Sequence, residues 1–140
     1  MRDEVVTYGD PVLRRKADPV TVFDEALRRL AHDMIRVMRA SNGVGLAAEQ
    51  VGLTCALCVI DVPADADVDE PGGPRLNPGV AMPLVLVNPR ITARQGEMTG
   101  DEGCLSFPAL YGPVTRAYEV SVAFQDLDGL PRTVTVRGLL

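Results

Sequence analysis

The chain has 140 residues, 46% of them hydrophobic, no tryptophan and a formal net charge of −5, which suits one globular domain with room for a core. No apolar run approaches the ~18 residues needed to cross a bilayer, and Met1-Arg2-Asp3-Glu4 opens on charge rather than the apolar stretch of a signal peptide. No segment concentrates Lys and Arg as a nucleic-acid footprint requires, so the expectation is a cytoplasmic protein with neither membrane nor nucleic-acid partners.

Gly9-Asp10-Pro11-Val12-Leu13-Arg14 reads as a turn entering a short helical piece. Asp24 to about Ala40 is the clearest helix, because Leu27, Leu30, Ala31, Met34, Val37 and Met38 recur at the three-and-four spacing of a core-facing stripe. Thr21 or Asp24 can cap its start, and Asn42-Gly43 supplies a stop. A strand is expected from about Cys55 to Val62. Pro63 to Pro83, with Asp65, Asp67, Asp69, Glu70 and Pro71-Gly72-Gly73-Pro74, reads as a mobile surface loop. Leu84-Val85-Leu86-Val87 is a short strand stopped by Asn88-Pro89, and Ile91 to Met98 a second one. Glu119–Gln125 and Leu130–Val136 alternate apolar and polar residues around Asp126-Leu127-Asp128-Gly129, a hairpin of half-buried strands. Arg137-Gly138-Leu139-Leu140 reads as the opening of a helix. The expected class is α+β, one long N-terminal helix packed against short, mostly antiparallel strands in a single domain over residues 1–140.

Three cysteines in such a chain argue against a disulfide framework. Cys55 and Cys58 have a metal-like spacing, but on a strand they point to opposite faces, and no second ligand pair accompanies them. Buried core thiols are the expectation there. His32, the sole histidine, lies on the long helix near Arg28, Arg29 and Arg36 and reads as a solvated side chain.

Two segments carry chemistry. Gly43-Val44-Gly45-Leu46-Ala47-Ala48-Glu49-Gln50 permits close backbone approach at its glycines, yet lacks the third glycine of a dinucleotide turn and the lysine of a phosphate loop. It is either a packing feature or a site with Gln50 as a neutral donor. Glu102-Gly103-Cys104-Leu105-Ser106 holds either an inert thiol or one that ligates metal or attacks a substrate.

In order and spacing, the two segments together resemble the first two motifs of the peptide deformylase family, metal hydrolases that remove the formyl group from the N-terminal methionine of nascent polypeptides. The resemblance extends over Gly9 to Arg14, Val87-Asn88-Pro89, and Phe107-Pro108 through Arg116. It implies that Cys104 ligates the metal, Fe²⁺ or a substituting Zn²⁺, Ni²⁺ or Co²⁺. It further implies that Gln50 and the backbone N–H of Leu105 stabilise oxygen charge on the formyl carbon, chemistry worth ~3 kcal/mol per donor. Val44, Gly45, Gly103 and Leu105 then pair with the substrate peptide as an added strand would. Glu102 and Arg116 form an ion pair steadying the Cys104 loop, and Leu86 and Val44 line the methionine pocket. The implied partners are N-formylmethionyl peptides and ribosome-associated nascent chains.

The family's third motif, a helical His-Glu-x-x-His supplying two metal ligands and the general base, does not occur in these 140 residues. Cys104 alone cannot hold a metal in a specific site, so the chain by itself is expected to be inactive. A missing helix would also expose its apolar seat, and five large side chains left unburied forfeit about 8–15 kcal/mol. The domain therefore reads as C-terminally truncated, and the expectation is that the chain is unstable alone or is part of a longer protein. Three readings stay open: the N-terminal part of an active deformylase, a degenerate homologue that binds formyl-peptides or a partner protein, or one half of a split enzyme.

Overall fold

Helix α1 spans Glu25–Ala40 in the computed structural model, which describes residues 1–140. Asp24 precedes it in extended conformation, and its carboxylate accepts from the Leu27 N–H at 3.0 Å, satisfying a donor that the first turn leaves free. The spacing read from the sequence buries Leu27, Ala31, Met34, Val37 and Met38. Each large side chain so buried contributes about 1.5–3 kcal/mol. His32 is exposed. The helix ends where Asn42 takes a left-handed φ of 56° and the Gly43 N–H turns back to the Met38 carbonyl.

Seven strands follow: β1 Gly45–Ala47, β2 Leu57–Ile60, β3 Leu84–Gln95, β4 Met98–Cys104, β5 Phe107–Arg116, β6 Glu119–Gln125 and β7 Pro131–Arg137. Five form an antiparallel sheet in the order β1-β2-β3-β6-β7, while β4 and β5 form a separate two-stranded hairpin. The core lies between α1 and the β1–β3 end of the large sheet, where Met34 and Met38 meet Val51, Val59 and Val87. A short 3₁₀ turn over Ala48–Val51 joins β1 to the segment leading into β2. The α+β class is the observed one, with a single α-helix.

Several local expectations are corrected. Leu84–Val87 and Ile91 onward are not two strands but one, β3, because the chain bulges rather than stops at Asn88-Pro89. The register shifts between Val87 and Arg90, where Asn88 sits at φ 51°. Its side chain donates to the Val20 carbonyl and to Gln125 Oε1 and accepts from the Val20 N–H. Pro89 falls at the bulge, where its missing N–H breaks no ladder.

The strand expected over Cys55–Val62 shortens to Leu57–Ile60. Cys55 lies outside it, in an isolated bridge to Asp18, and both Cys55 and Cys58 are only half-buried. The segment between β2 and β3 forms no strand or helix, as expected, but it is not simply a surface loop: Asp67 and Asn77 are buried. The last four residues do not open a helix. Gly138 takes a left-handed φ of 68° and the chain turns there.

Candidate active site

The β4–β5 hairpin stands away from the large sheet and joins it through its turn. Leu105 packs against the core cluster, and Gly43 lies so close beneath that a Cβ there would come within 2.6 Å of Leu105 Cδ1. Ser106, buried in the same turn, accepts the Tyr8 N–H at its carbonyl. The rings of Tyr8 and Phe107 pack 5.0 Å apart. Between hairpin and sheet runs a groove of about 850 Å³, lined by Val44, Gly45, Gln50, Cys104 and Leu105 among others.

Two segments distant in sequence meet in this groove, and local structure fixes how. Gln50 sits on the 3₁₀ turn after β1, and its Oε1 accepts the Ala47 N–H at 3.0 Å. That bond assigns the orientation of the carboxamide, so Nε2 is the end presented to the hairpin. Nε2 lies 3.2 Å from Ser106 Oγ and 3.8 Å from Cys104 Sγ. The Gln50 carbonyl accepts from Val6, so the N-terminal segment holds Gln50 and Ser106 from one side. The Leu105 N–H finds no acceptor, leaving a second donor beside the exposed Cys104 thiol.

β1 is the first strand of its sheet. The Val44 carbonyl accepts from Asp61, and β1 and β2 pair in the register Gly45↔Ile60, Leu46↔Val59. Antiparallel alternation then turns the peptide groups of Gly45 outward toward the groove. Ala47 is the next outward residue, and its N–H is the one Gln50 takes.

Glu102 and Arg116 close a bidentate pair across the hairpin at 2.7 and 2.8 Å. The Arg116 hydrogen bond holds the Glu102 carboxyl below the usual carboxylate range, against a smaller opposing effect of desolvation, and raises Arg116 in turn. Burial pushes the Cys58 thiol up to about 11 and raises Cys55 as well.

The structure thus brings Val44, Gly45, Gln50, Glu102, Gly103, Cys104, Leu105 and Arg116 to one groove. It does not bring Leu86, which is buried at 6% exposure and does not line the groove. Leu86 pairs with Cys58 between β2 and β3, on the face of the sheet opposite the one that Val59 and Val87 turn to the α1 core. Sequence reasoning missed Ser106, the nearer of the two acceptors of the Gln50 amide nitrogen, although it stood inside the quoted motif. It also missed the β4–β5 hairpin, whose residues are mostly exposed and so show no core-facing alternation.

For a divalent metal the donor set on this chain falls short. Nowhere do three or more His, Cys, Asp or Glu side chains gather. The polar contact of Cys104 Sγ is the Gln50 amide, and Glu102 is committed to Arg116. The 140 residues alone do not fit a closed or catalytic metal centre.

The fold is thus a helix-backed antiparallel sheet with a separate hairpin, and a glutamine amide and a thiol meet in the groove between them. The chain belongs to the polypeptide deformylase family, whose profile matches residues 2–140. It is 42% identical over 141 residues to a peptide deformylase of Opitutus terrae, covering 97% of this chain and 73% of that protein. It is 40% identical over 136 residues to the peptide deformylase of Nitrosococcus oceani, with the same coverages. Among solved structures, the peptide deformylase from Legionella pneumophila superposes with a TM-score of 0.82 at 38% identity, over 99% of this chain and 74% of that one. The peptide deformylase from Thermotoga maritima gives 0.80 at 34%, over 96% and 80%.

Proposed function

We propose that the groove is a deformylase site that takes the formylated end of a methionyl peptide, and that it acts only when completed by a segment carrying further ligands. The observation carrying this reading is the convergence of Gln50 Nε2 and the free Leu105 N–H beside Cys104. Two neutral donors fixed on rigid elements suit an oxygen that gains charge as the formyl carbon becomes tetrahedral, and each such donor is worth ~3 kcal/mol. The Ala47 N–H orients the Gln50 carboxamide so that its nitrogen already faces the hairpin before substrate arrives, which limits the reorganisation needed. Outward peptide groups at Gly45, with Val44, Gly103 and Leu105 around them, would pair with the substrate backbone as a short added strand. Glu102 and Arg116 would stiffen the hairpin that presents Cys104.

Cys104 would be one ligand of a divalent ion in the completed protein. Fe²⁺, Zn²⁺, Ni²⁺ and Co²⁺ are the candidates, and the remaining ligands and the general base lie outside the groups gathered here. No step is assigned to the ion on this chain.

The exposed surface supports incompleteness. Only 19 of 140 residues are buried, and the accessible surface is 8683 Å², whereas folded monomers of 15.0 kDa expose about 7,000 Å². The excess, roughly 1,600 Å², is on the scale of a standard protein interface. A helix seated in the groove would cover much of it, whether it continues the chain or comes from another one. Substrates would be N-formylmethionyl peptides on nascent chains near the ribosome, in the cytoplasm. No helix is long and apolar enough to cross a membrane.

Formate release from an N-formylmethionyl peptide tests the reading. The expected result is turnover only when the chain is supplied with metal and a helix bearing a His-Glu-x-x-His pattern, abolished by Cys104→Ser. Formyl-peptide binding without turnover in the supplemented protein would favour a non-catalytic homologue instead.

A further inference from the structure

The connection between β2 and β3 buries two polar side chains that the reaction does not use. Asp67, 2% exposed, accepts the Asn77 N–H at Oδ2 (3.0 Å) and Asn77 Nδ2 at Oδ1 (2.6 Å), and Arg75 Nε lies 3.4 Å from Oδ2. Held this way, the Asn77 carboxamide pairs with the outward N–H and C=O of one residue of β7: Nδ2 donates to the Arg137 carbonyl and Oδ1 accepts the Arg137 N–H, both at 2.9 Å. β7 is the last strand of its sheet, so these are edge groups that would otherwise face solvent. A second grip lies one residue on. The Gly138 N–H donates to the Tyr118 carbonyl, and the Tyr118 hydroxyl donates to Asp69 of the same connection. Gly138 is at φ 68°, a conformation that L side chains rarely adopt, with Leu76 Cδ1 beneath it. Gly138 and Leu139 line the groove that holds Cys104 and Gln50.

We propose that Asn77 is a positioning residue: anchored by Asp67, its carboxamide clamps the open edge of β7 so that the chain leaves the sheet at Gly138 directly into the Cys104–Gln50 groove. The connection is thereby a strap that sets where the groove ends and where anything following Leu139 is delivered. An edge strand without this clamp frays from its last residue, because nothing else pairs its outer side. The inference rests on the groove geometry and stands whether or not the groove hydrolyses formyl-peptides.

The test is amide exchange and methyl NOE spectroscopy on the folded chain, with protection of the Val87 and Val122 amides as the criterion that it is folded. In the unaltered protein, Leu139 methyl groups should show NOEs to groove side chains, and the Arg137 amide should be protected. Asn77→Ala should speed Arg137 exchange about tenfold or more and abolish the Leu139 NOEs, while Val87 and Val122 amides keep their protection. If Asn77→Ala loses that core protection too, Asp67→Asn decides. It leaves the Arg137 pair in place but loosens the anchor, so Arg137 exchange should rise by a smaller factor and the Leu139 NOEs weaken. Leu139 NOEs that are absent from the unaltered protein, or that persist unchanged in the folded variant, overturn the proposal.

Discussion

Gln50 and Cys104 stand 54 positions apart in sequence, yet the amide nitrogen of one lies 3.8 Å from the sulfur of the other. The approach is set from both sides: Ala47 turns the amide and the buried Ser106 receives it. Replacing Gln50 by Ala should leave the fold intact, since its side chain is only half-buried. In the helix-supplemented protein, however, kcat should fall about 10²–10³-fold, with a smaller change in KM, because the donor acts on charge that develops in the transition state. Steady-state formate release measures the split.

The three thiols should separate by reactivity. Cys104 is exposed and should react first with an alkylating reagent at neutral pH. Cys58, pushed up to about 11 by burial, should react last. Mass-resolved labelling over time reads the order, and modification of Cys58 before Cys104 would contradict the geometry.

Glu102 links stability to pH. Its carboxyl is held below the ordinary range by Arg116, so the stabilising contribution is complete above the ordinary carboxylate value and disappears as pH falls through the lowered one. The pair is partly exposed, at 34% and 63% for the two side chains, so Glu102→Gln should cost no more than ~1 kcal/mol. Denaturation midpoints of the two proteins should differ at neutral pH and converge in acid. A gap that widens in acid would reverse the sign.

Two glycines in the motifs should respond differently to alanine. At Gly43 the added Cβ would meet Leu105 Cδ1 at 2.6 Å, and Leu105 is packed against the core. Overpacking of this kind costs about 1–3 kcal/mol and would shift the donor N–H of Leu105. At Gly103 the neighbour is the Tyr111 ring at 2.5 Å, but Tyr111 is 73% exposed and can swing outward, so the cost should stay below ~1 kcal/mol. Urea denaturation of both variants checks the ranking.

The helix α1 and the β6–β7 hairpin were legible in the sequence because each buries one periodic face, and periodicity survives in a string of letters. The two chemical segments were legible as motifs, and the chain's membership of the deformylase family bears out the resemblance. What was hidden depends on pairing across distance. Asn88 looked like a strand stop, but its side chain bonds Val20 and Gln125 and turns the stop into a bulge. Asp67 read as loop polarity, because nothing local announces that it and Asn77 bury each other against Arg137. Leu86 looked available to the pocket, but the face a strand residue presents depends on the register of its neighbours.

Cobalt titration is the most direct test of whether this groove needs ligands from outside these 140 residues, since a thiolate bound to Co²⁺ absorbs at a characteristic wavelength. The chain alone should bind cobalt only weakly. Addition of a His-Glu-x-x-His helix should produce stoichiometric binding with a thiolate band that Cys104→Ser removes. Tight, Cys104-dependent binding by the chain alone would contradict the reading and would mean that the site is complete as it stands.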